Sequence, residues 1–276
     1  MTSTRERIKE RKDKMKKYLY AFKFEVMTTL QYAFNFIGKM FSLFLMIFVF
    51  MNLWNFMYDD PSQAINGYTK FQMIWYVSIS ELIYFVTRGR QTCEEISKHI
   101  KSGNIAYTIN KPYDYVVYTL FTLLGRSFVS SAFYTAFIMI IGSAFTGALP
   151  ALAMNELLAV ILVFALAVTI SLLLVIAIGL FSFIIEDSSP MYWIYSKIWL
   201  ICGTLFPIEF FPVWAQNILR FTPVYVITGP SRLIVNFTTE GFVQTLIAQV
   251  IYLIFAIGLC ELIYRKGMKK LNVNGG

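Results

Sequence analysis

The chain has 276 residues and a net charge of +8, with 57% apolar and only 14% charged residues. Soluble domains carry closer to a quarter charged residues, and here the apolar residues gather in runs long enough to cross a hydrocarbon layer, which takes about 20 helical residues. A soluble globular domain, a fibrous chain and a disordered chain are excluded on these grounds.

The first thirty residues are too charged for a cleaved signal peptide, so they are expected in the mature protein. Between Lys14 and Leu30 the basic residues Lys14, Lys16, Lys17 and Lys23 interleave with Tyr18, Leu19, Phe22, Phe24 and Val26. This pattern suits an amphipathic helix lying in a membrane interface; a charged helical tail is the plainer alternative.

A first membrane span is expected over 34–57, closed by Trp54 and Tyr58 and followed by an Asp-Asp-Pro turn at 59–61. The second, over 71–86, is short and carries Glu81. A polar segment follows over 87–115. The third span, 116–145, carries Arg126, and the fourth, 157–185, has no charge after its first few residues. A turn at 186–190 leads to a fifth, interrupted span over 191–206. Pro207, Pro212, Pro223 and Pro230 prevent one regular helix afterwards. The sixth span covers 242–264, and Arg265 with Lys266 is expected to end it. The runs are continuous and not alternating, so helices are expected and not a barrel.

Lysine and arginine set an orientation. Nine lie in residues 1–32, five in 87–115 and four in 265–276, against Lys70, Arg220 and Arg232 on the other side of a six-span chain. Eighteen against three predicts cytoplasmic termini and a cytoplasmic 87–115 segment. The same grouping accounts for the positive charge without a nucleic-acid partner. The expected domains are a basic tail with an interfacial helix over 1–33, a six-span transmembrane domain over 34–266 with the cytoplasmic segment 87–115 and a proline-broken stretch at 207–241, and a cytoplasmic tail over 267–276.

Charged groups inside a span are costly and usually face protein or water. Glu81 and Arg126 fall at similar expected depths, so each is the other's expected partner, as a packing ion pair or as part of a pathway or gate. Within 93–101, Ile96 and Ile100 are four apart and Glu94 with Lys98 makes an opposite-charge pair at helical spacing. A short surface helix is expected there. His99 is the one histidine, and Cys93, Cys202 and Cys260 show no metal or redox spacing. No nucleophile–base–acid set, metal cluster or cofactor loop stands out, so the chain is not expected to be an enzyme.

Three stretches carry a resemblance: RGRQTCEEISKHIKSGNIAYTINKPYDY at 88–115, its closing KPYDY at 111–115, and GTLFPIEFFPVWAQNILRFTPVYVITGPSRLI at 203–234. In this order within six spans they resemble the membrane subunit of an ABC exporter of the ABC-2 type, over about residues 15–266. The resemblance implies an all-α integral membrane protein with six transmembrane helices and a cytoplasmic coupling helix that docks on an ATPase through Glu94, Glu95, Ile96, His99 and Ile100. A solvated connector is the alternative for that helix. It also implies broken helices on the extracellular side that cap the exit, with Pro207, Glu209, Phe210, Pro212, Trp214 and Pro223. The implied partners are an ABC ATPase subunit dimer holding ATP and Mg2+, a second permease subunit (a copy or a related paralogue) and membrane lipids. The chain lacks a G-x-x-x-x-G-K-[ST] loop, as expected if the ATPase is separate, and no cofactor is expected within it. The implied location is a cell membrane, of bacterial plasma-membrane type. The substrate would be amphipathic or apolar: a drug, antibiotic, peptide, lipid or glycan. An ion-coupled secondary transporter and a lipid-modifying membrane enzyme are the other readings.

Overall fold

The computed structural model describes residues 4–32, 34–58, 60, 63–105, 107, 111, 113–185 and 187–274, with side chains from 15 to 269. Helix α1 (Thr4–Gln31) leads to α2 (Asn35–Met57). A two-stranded antiparallel hairpin, β1 (Ala64–Ile65) and β2 (Tyr68–Thr69), pairs Ala64 with Thr69 and Ile65 with Tyr68. Its turn is Asn66-Gly67, with φ of 50° and 86°, the pair best able to take two left-handed residues in a tight hairpin turn.

The hairpin runs straight into α3 (Lys70–Thr87). Thr69 caps that helix, accepting from the Gln72 amide at 3.3 Å while the Gln72 side chain accepts from the Thr69 amide at 2.9 Å. A single residue, Arg88, separates α3 from α4 (Gly89–Lys101). Helix α5 (Tyr115–Thr146) starts on the Asp114 carboxylate, which accepts from the Val117 amide at 2.9 Å, and stops at Gly147 with φ of 75°. Then come α6 (Met154–Leu180), the one-turn α7 (Ser182–Ile185) and α8 (Ser189–Trp199), which a π-helical turn, Leu200–Leu205, prolongs. A 3-10 turn (Ile208–Phe210) and three short helices follow, α9 (Val213–Leu219), α10 (Pro223–Ile227) and α11 (Gly229–Val235). Helix α12 (Thr239–Asn274) closes the chain.

Among the described residues, α2, α5, the α6–α7 stretch Met154–Ile185 and α12 are long and apolar enough to cross a membrane. Helix α3 has 18 residues, and α8 has 11 before its π turn. These two stand where the second and fifth crossings were expected. The last helix runs on past the expected end of the sixth span, continuing to Asn274, with Arg265 paired to Glu261 at 3.1 Å. Helix α1 begins well before Lys14.

Helices α3 and α6 form the centre. Every residue of α3 from Met73 to Ile83 is buried, as are Val163, Ala167, Ile170, Leu172, Leu173, Ile176 and Leu180 of α6. The outward faces of α2 and α12 present Phe41, Phe48, Ile247, Ile251, Ile254 and Phe255 instead. That inside-out distribution is what a lipid solvent allows. Polar side chains join helices across the centre: Ser80 donates to Ser231 at 2.8 Å, Ser127 to the Val86 carbonyl at 3.2 Å, and Gln249 to the carbonyls of Val163 and Val226 at 3.1 and 3.2 Å.

Helix α1 lies along the first half of α5. Tyr18 and Thr29 are buried and Phe22, Glu25 and Val26 half-buried, a spacing that defines one helical face. Tyr18 stacks near Phe121 and accepts from the Asp114 amide at 3.0 Å. The close approach depends on Gly125, where a Cβ would stand 2.5 Å from the Phe22 carbonyl oxygen. Because that neighbour is backbone, it cannot rotate away. Gly125→Ala is therefore expected to lift α1 from α5, lowering stability in detergent by about 1–3 kcal/mol and speeding tryptic cleavage after Lys23. An unchanged melting temperature and an unchanged cleavage rate would refute this packing account.

Candidate functional site

The site is built around α4, which is amphipathic. Thr92, Cys93, Ile96, Ser97 and Ile100 face the bundle and are buried; Arg90, Gln91, Glu94, Glu95 and Lys98 are exposed. Ile96 sits against α6, so closely that a Cβ on Gly179 would stand 2.9 Å from the Ile96 Cβ. This corrects the expected docking surface. Ile96 and Ile100 fasten α4 to its own bundle and offer no ridge to a partner, whereas Glu94 and Glu95 stay on the exposed face. Glu94 pairs with Arg90 at 2.8 Å, not with Lys98, and Gln91 donates to Glu95 at 2.9 Å.

Hydroxyl groups hold the buried face of α4. Ser182 donates to Ser97 at 2.8 Å and lies 2.9 Å from Ser188, and the Ser188 hydroxyl lies 3.2 Å from the Cys93 sulfur. The chain Ser97–Ser182–Ser188–Cys93 thus ties α4 to the turn between α7 and α8. Burial pushes the Cys93 thiol pKa up, and the carboxylates of Glu94 and Asp187 push the same way. Lys101 reaches Asp187 at 3.6 Å. His99 stacks 6.1 Å from Tyr115, which stacks in turn on Tyr264. Partial burial, and then the charge of Lys111, hold the His99 pKa below its usual value.

Arg126 joins three helices. Its Nε donates to Glu25 of α1 at 3.0 Å and its Nη1 to Glu95 of α4 at 3.1 Å. Arg126 and Glu25 are 19% and 15% exposed at the side chain, Glu95 47%, so the Glu25 contact is the better shielded of the two. The expected Glu81 partnership is corrected: Arg126 is satisfied by a carboxylate from the N-terminal helix and one from α4. Glu81 is 1% exposed on α3 and has an Oε2 with no hydrogen-bond partner among the described residues, and it lies beside Thr204 of the π turn. Near Arg126, Arg88 occupies the α3–α4 junction in the left-handed region with φ of 45°, and its guanidinium stands 5.0 Å from the Phe36 ring of α2.

At the opposite end of the bundle, the expected cap residues divide. Glu209 and Phe210 come together with the hairpin, and Pro207 caps the 3-10 turn that carries them. Tyr68 donates to Glu209 at 3.1 Å, and Phe210 lies 5.5 Å from Trp54 and 6.1 Å from Tyr68. Pro212 and Trp214 are at the surface, Trp214 being 69% exposed, and Pro223 starts α10. Sequence reasoning missed Glu25, Tyr68 and the serine chain. Asn66-Gly67 was a legible signal for the hairpin; nothing in the sequence singles out Glu25. Among the described residues no three His, Cys, Asp or Glu side chains gather as a metal-binding set.

Several apolar helices packed around an apolar centre crossed by a few buried polar contacts, with an amphipathic helix folded back at one end, define a multi-pass helical membrane protein. More narrowly, the chain belongs to the ABC-2 family transporter proteins, whose family model matches residues 27–275. That family supplies the membrane component of transporters and works with an ABC ATPase partner. No curated protein matches the chain.

Two predictions follow from this geometry. In a double-mutant cycle, Glu25→Gln and Arg126→Gln are expected to couple by about 0.5–3 kcal/mol in thermal stability, and Glu95→Gln with Arg126→Gln by less, since solvent screens the Glu95 contact. Additive losses in both cycles would dissolve the three-helix junction. The second concerns pH. The folded protein disfavours protonated His99, whereas the unfolded chain takes up that proton near pH 6.5. The stability it contributes is present above that pH and is lost as pH falls through the lower folded value. Wild type should lose more stability than His99→Gln between pH 7 and pH 5, and parallel pH profiles would contradict it.

Proposed function

We propose that the chain is the membrane-spanning permease subunit of an ATP-driven exporter, moving an amphipathic or apolar substrate out of the cytoplasm or inner leaflet. It crosses the membrane six times, through α2, α3, α5, α6, α8 with its π turn, and α12, with both termini and α4 in the cytoplasm. The eighteen-to-three division of lysine and arginine supports that orientation. Helix α1 lies at the inner interface, where exposed Leu19, Tyr20, Phe24, Met27 and Leu30 meet lipid and its lysines meet anionic headgroups. Two permease subunits and an ATPase dimer holding ATP and Mg2+ make up the working transporter.

The observation that carries this reading is the placement of α4. It follows α3 after one residue, shows a charged face outward, and is joined through Glu95 and Arg126 to α5 and α1. A partner that pushes on the charged face moves a bundle helix directly, which is what coupling to a nucleotide-driven partner requires. The buried, unpartnered oxygen of Glu81 is the one feature that favours an ion-coupled transporter instead. Such a transporter would move substrate down a proton gradient in vesicles without an ATPase.

The test is co-expression with an ABC ATPase subunit. The two chains should copurify. Glu94→Arg with Lys98→Glu, both on the exposed face, should cut recovery of the complex about tenfold or more while leaving the melting temperature of the permease unchanged. Full recovery with the double variant would remove α4 as the docking surface. In a cysteine-free background, Gly67→Cys should react with an impermeant thiol reagent from outside and Lys101→Cys should not. The reverse labelling would invert the orientation.

A further inference from the structure

At the hairpin end, a cavity of about 460 Å3 opens between the 3-10 turn, α10, α11 and the start of α12. Its wall is mostly polar, which is unusual in so apolar a chain, and it holds two arginines, Arg220 and Arg232, against one carboxylate, Glu209. Its volume is in the range of small-ligand sites.

Arg232 is held in a fixed orientation without being neutralised. Its guanidinium lies 3.7 Å from the centre of the Tyr225 ring. Nη2 donates to the Tyr225 carbonyl at 2.8 Å and Nη1 to the Thr228 hydroxyl at 3.1 Å. These partners are neutral, and Arg232 forms no ion pair among the described residues. Two of the five N–H donors that arginine carries are used, which leaves three for another group. Glu209 shares the cavity but makes no ion pair with Arg232 among the described residues; its Oε2 accepts from Tyr68 at 3.1 Å. Arg220 is exposed at the rim. Thr238, just before α12, and Gly241 and Gln244 in its first turns also line the cavity, and the first turn of a long helix adds a partial positive charge.

We infer that this cavity binds a phosphate group, with Arg232 as its anchor and Arg220 as a second, more mobile charge. A planar guanidinium with a free edge suits a phosphate because it donates two parallel hydrogen bonds to it. A phospholipid headgroup and a free or substrate-borne phosphate present the same chemistry to these residues. The inference does not depend on the direction of transport or on the ATPase.

The experiment uses the purified full-length chain in detergent, titrated with a short-chain phosphatidylglycerol and, separately, with inorganic phosphate. Thermal stabilisation reports occupancy. Wild type should be stabilised saturably. Arg232→Gln should raise the half-saturating concentration about tenfold or more, the loss of one charge-assisted hydrogen bond, and Arg232→Lys should lie between the two. Arg220→Gln changes an exposed side chain with no hydrogen bond or ion pair among the described residues, so it keeps the test valid if Arg232→Gln folds poorly; it should weaken binding several-fold. Arg90→Gln, at the other end of the bundle, should bind like wild type. Stabilisation by the lipid alone assigns the site to a headgroup, and stabilisation by both probes assigns it to the phosphate itself. The inference fails if wild type responds to neither probe at millimolar concentration, or if Arg232→Gln and Arg220→Gln titrate like wild type.

Discussion

Inside a hydrocarbon layer a backbone carbonyl without a partner has no water to turn to. This fold breaks its helices repeatedly between residues 200 and 238, and each break frees carbonyls. Side chains from unbroken helices meet them. Tyr76 of α3 donates to the Gly203 carbonyl in the π turn at 2.9 Å. Gln72, also on α3, donates to the Val235 carbonyl at the end of α11 at 3.1 Å. Gln249 of α12 reaches the Val226 carbonyl in α10. The irregular segment is thus held in place by three polar side chains on two regular helices. Gln72 and Tyr76 of α3 and Gln249 of α12 each serve as partners for backbone elsewhere.

The other end of the molecule uses a different device. There, beside the serine chain, a single arginine gathers helices that are distant in sequence: Glu25 and Arg126 are 101 positions apart, Glu95 and Arg126 are 31. An arginine this far into a span can face protein on all sides only if other elements come to it. Helix α1 comes because Gly125 lets its backbone approach, and α4 comes because Ile96 fills the space beside Gly179. Apolar burial positions the three helices, and the ion pairs select how they are turned relative to one another.

Much of this was legible in the sequence. The spans over 34–57, 71–86, 116–145 and 191–206 match helical segments to within a few residues, since long apolar runs have few alternatives. The amphipathic character of α4 was also readable. Its facing was misjudged, because the Ile96/Ile100 ridge looks the same whether it meets the parent bundle or a partner. Arg126 was rightly singled out as a charge that needed company. Its partner was misassigned because depth along a span says nothing about which side of the helix a residue occupies, and Glu25 lay in a segment read as interfacial. The last helix continues past Arg265 and Lys266, since both residues are good helix formers.

The absence of any loop between the hairpin, α3 and α4 has a mechanical meaning. Thr69 is both the last residue of β2 and the cap of α3, and Arg88 alone joins α3 to α4. Eighteen helical residues make a rod about 27 Å long, joined to α4 through a residue whose backbone sits in the left-handed region. A tilt of about 10° at Arg88 would swing the hairpin through about 5 Å, carrying Tyr68 and its hold on Glu209 with it. A displacement applied to α4 would therefore arrive at the far side of the molecule as a sideways stroke several times a bond length.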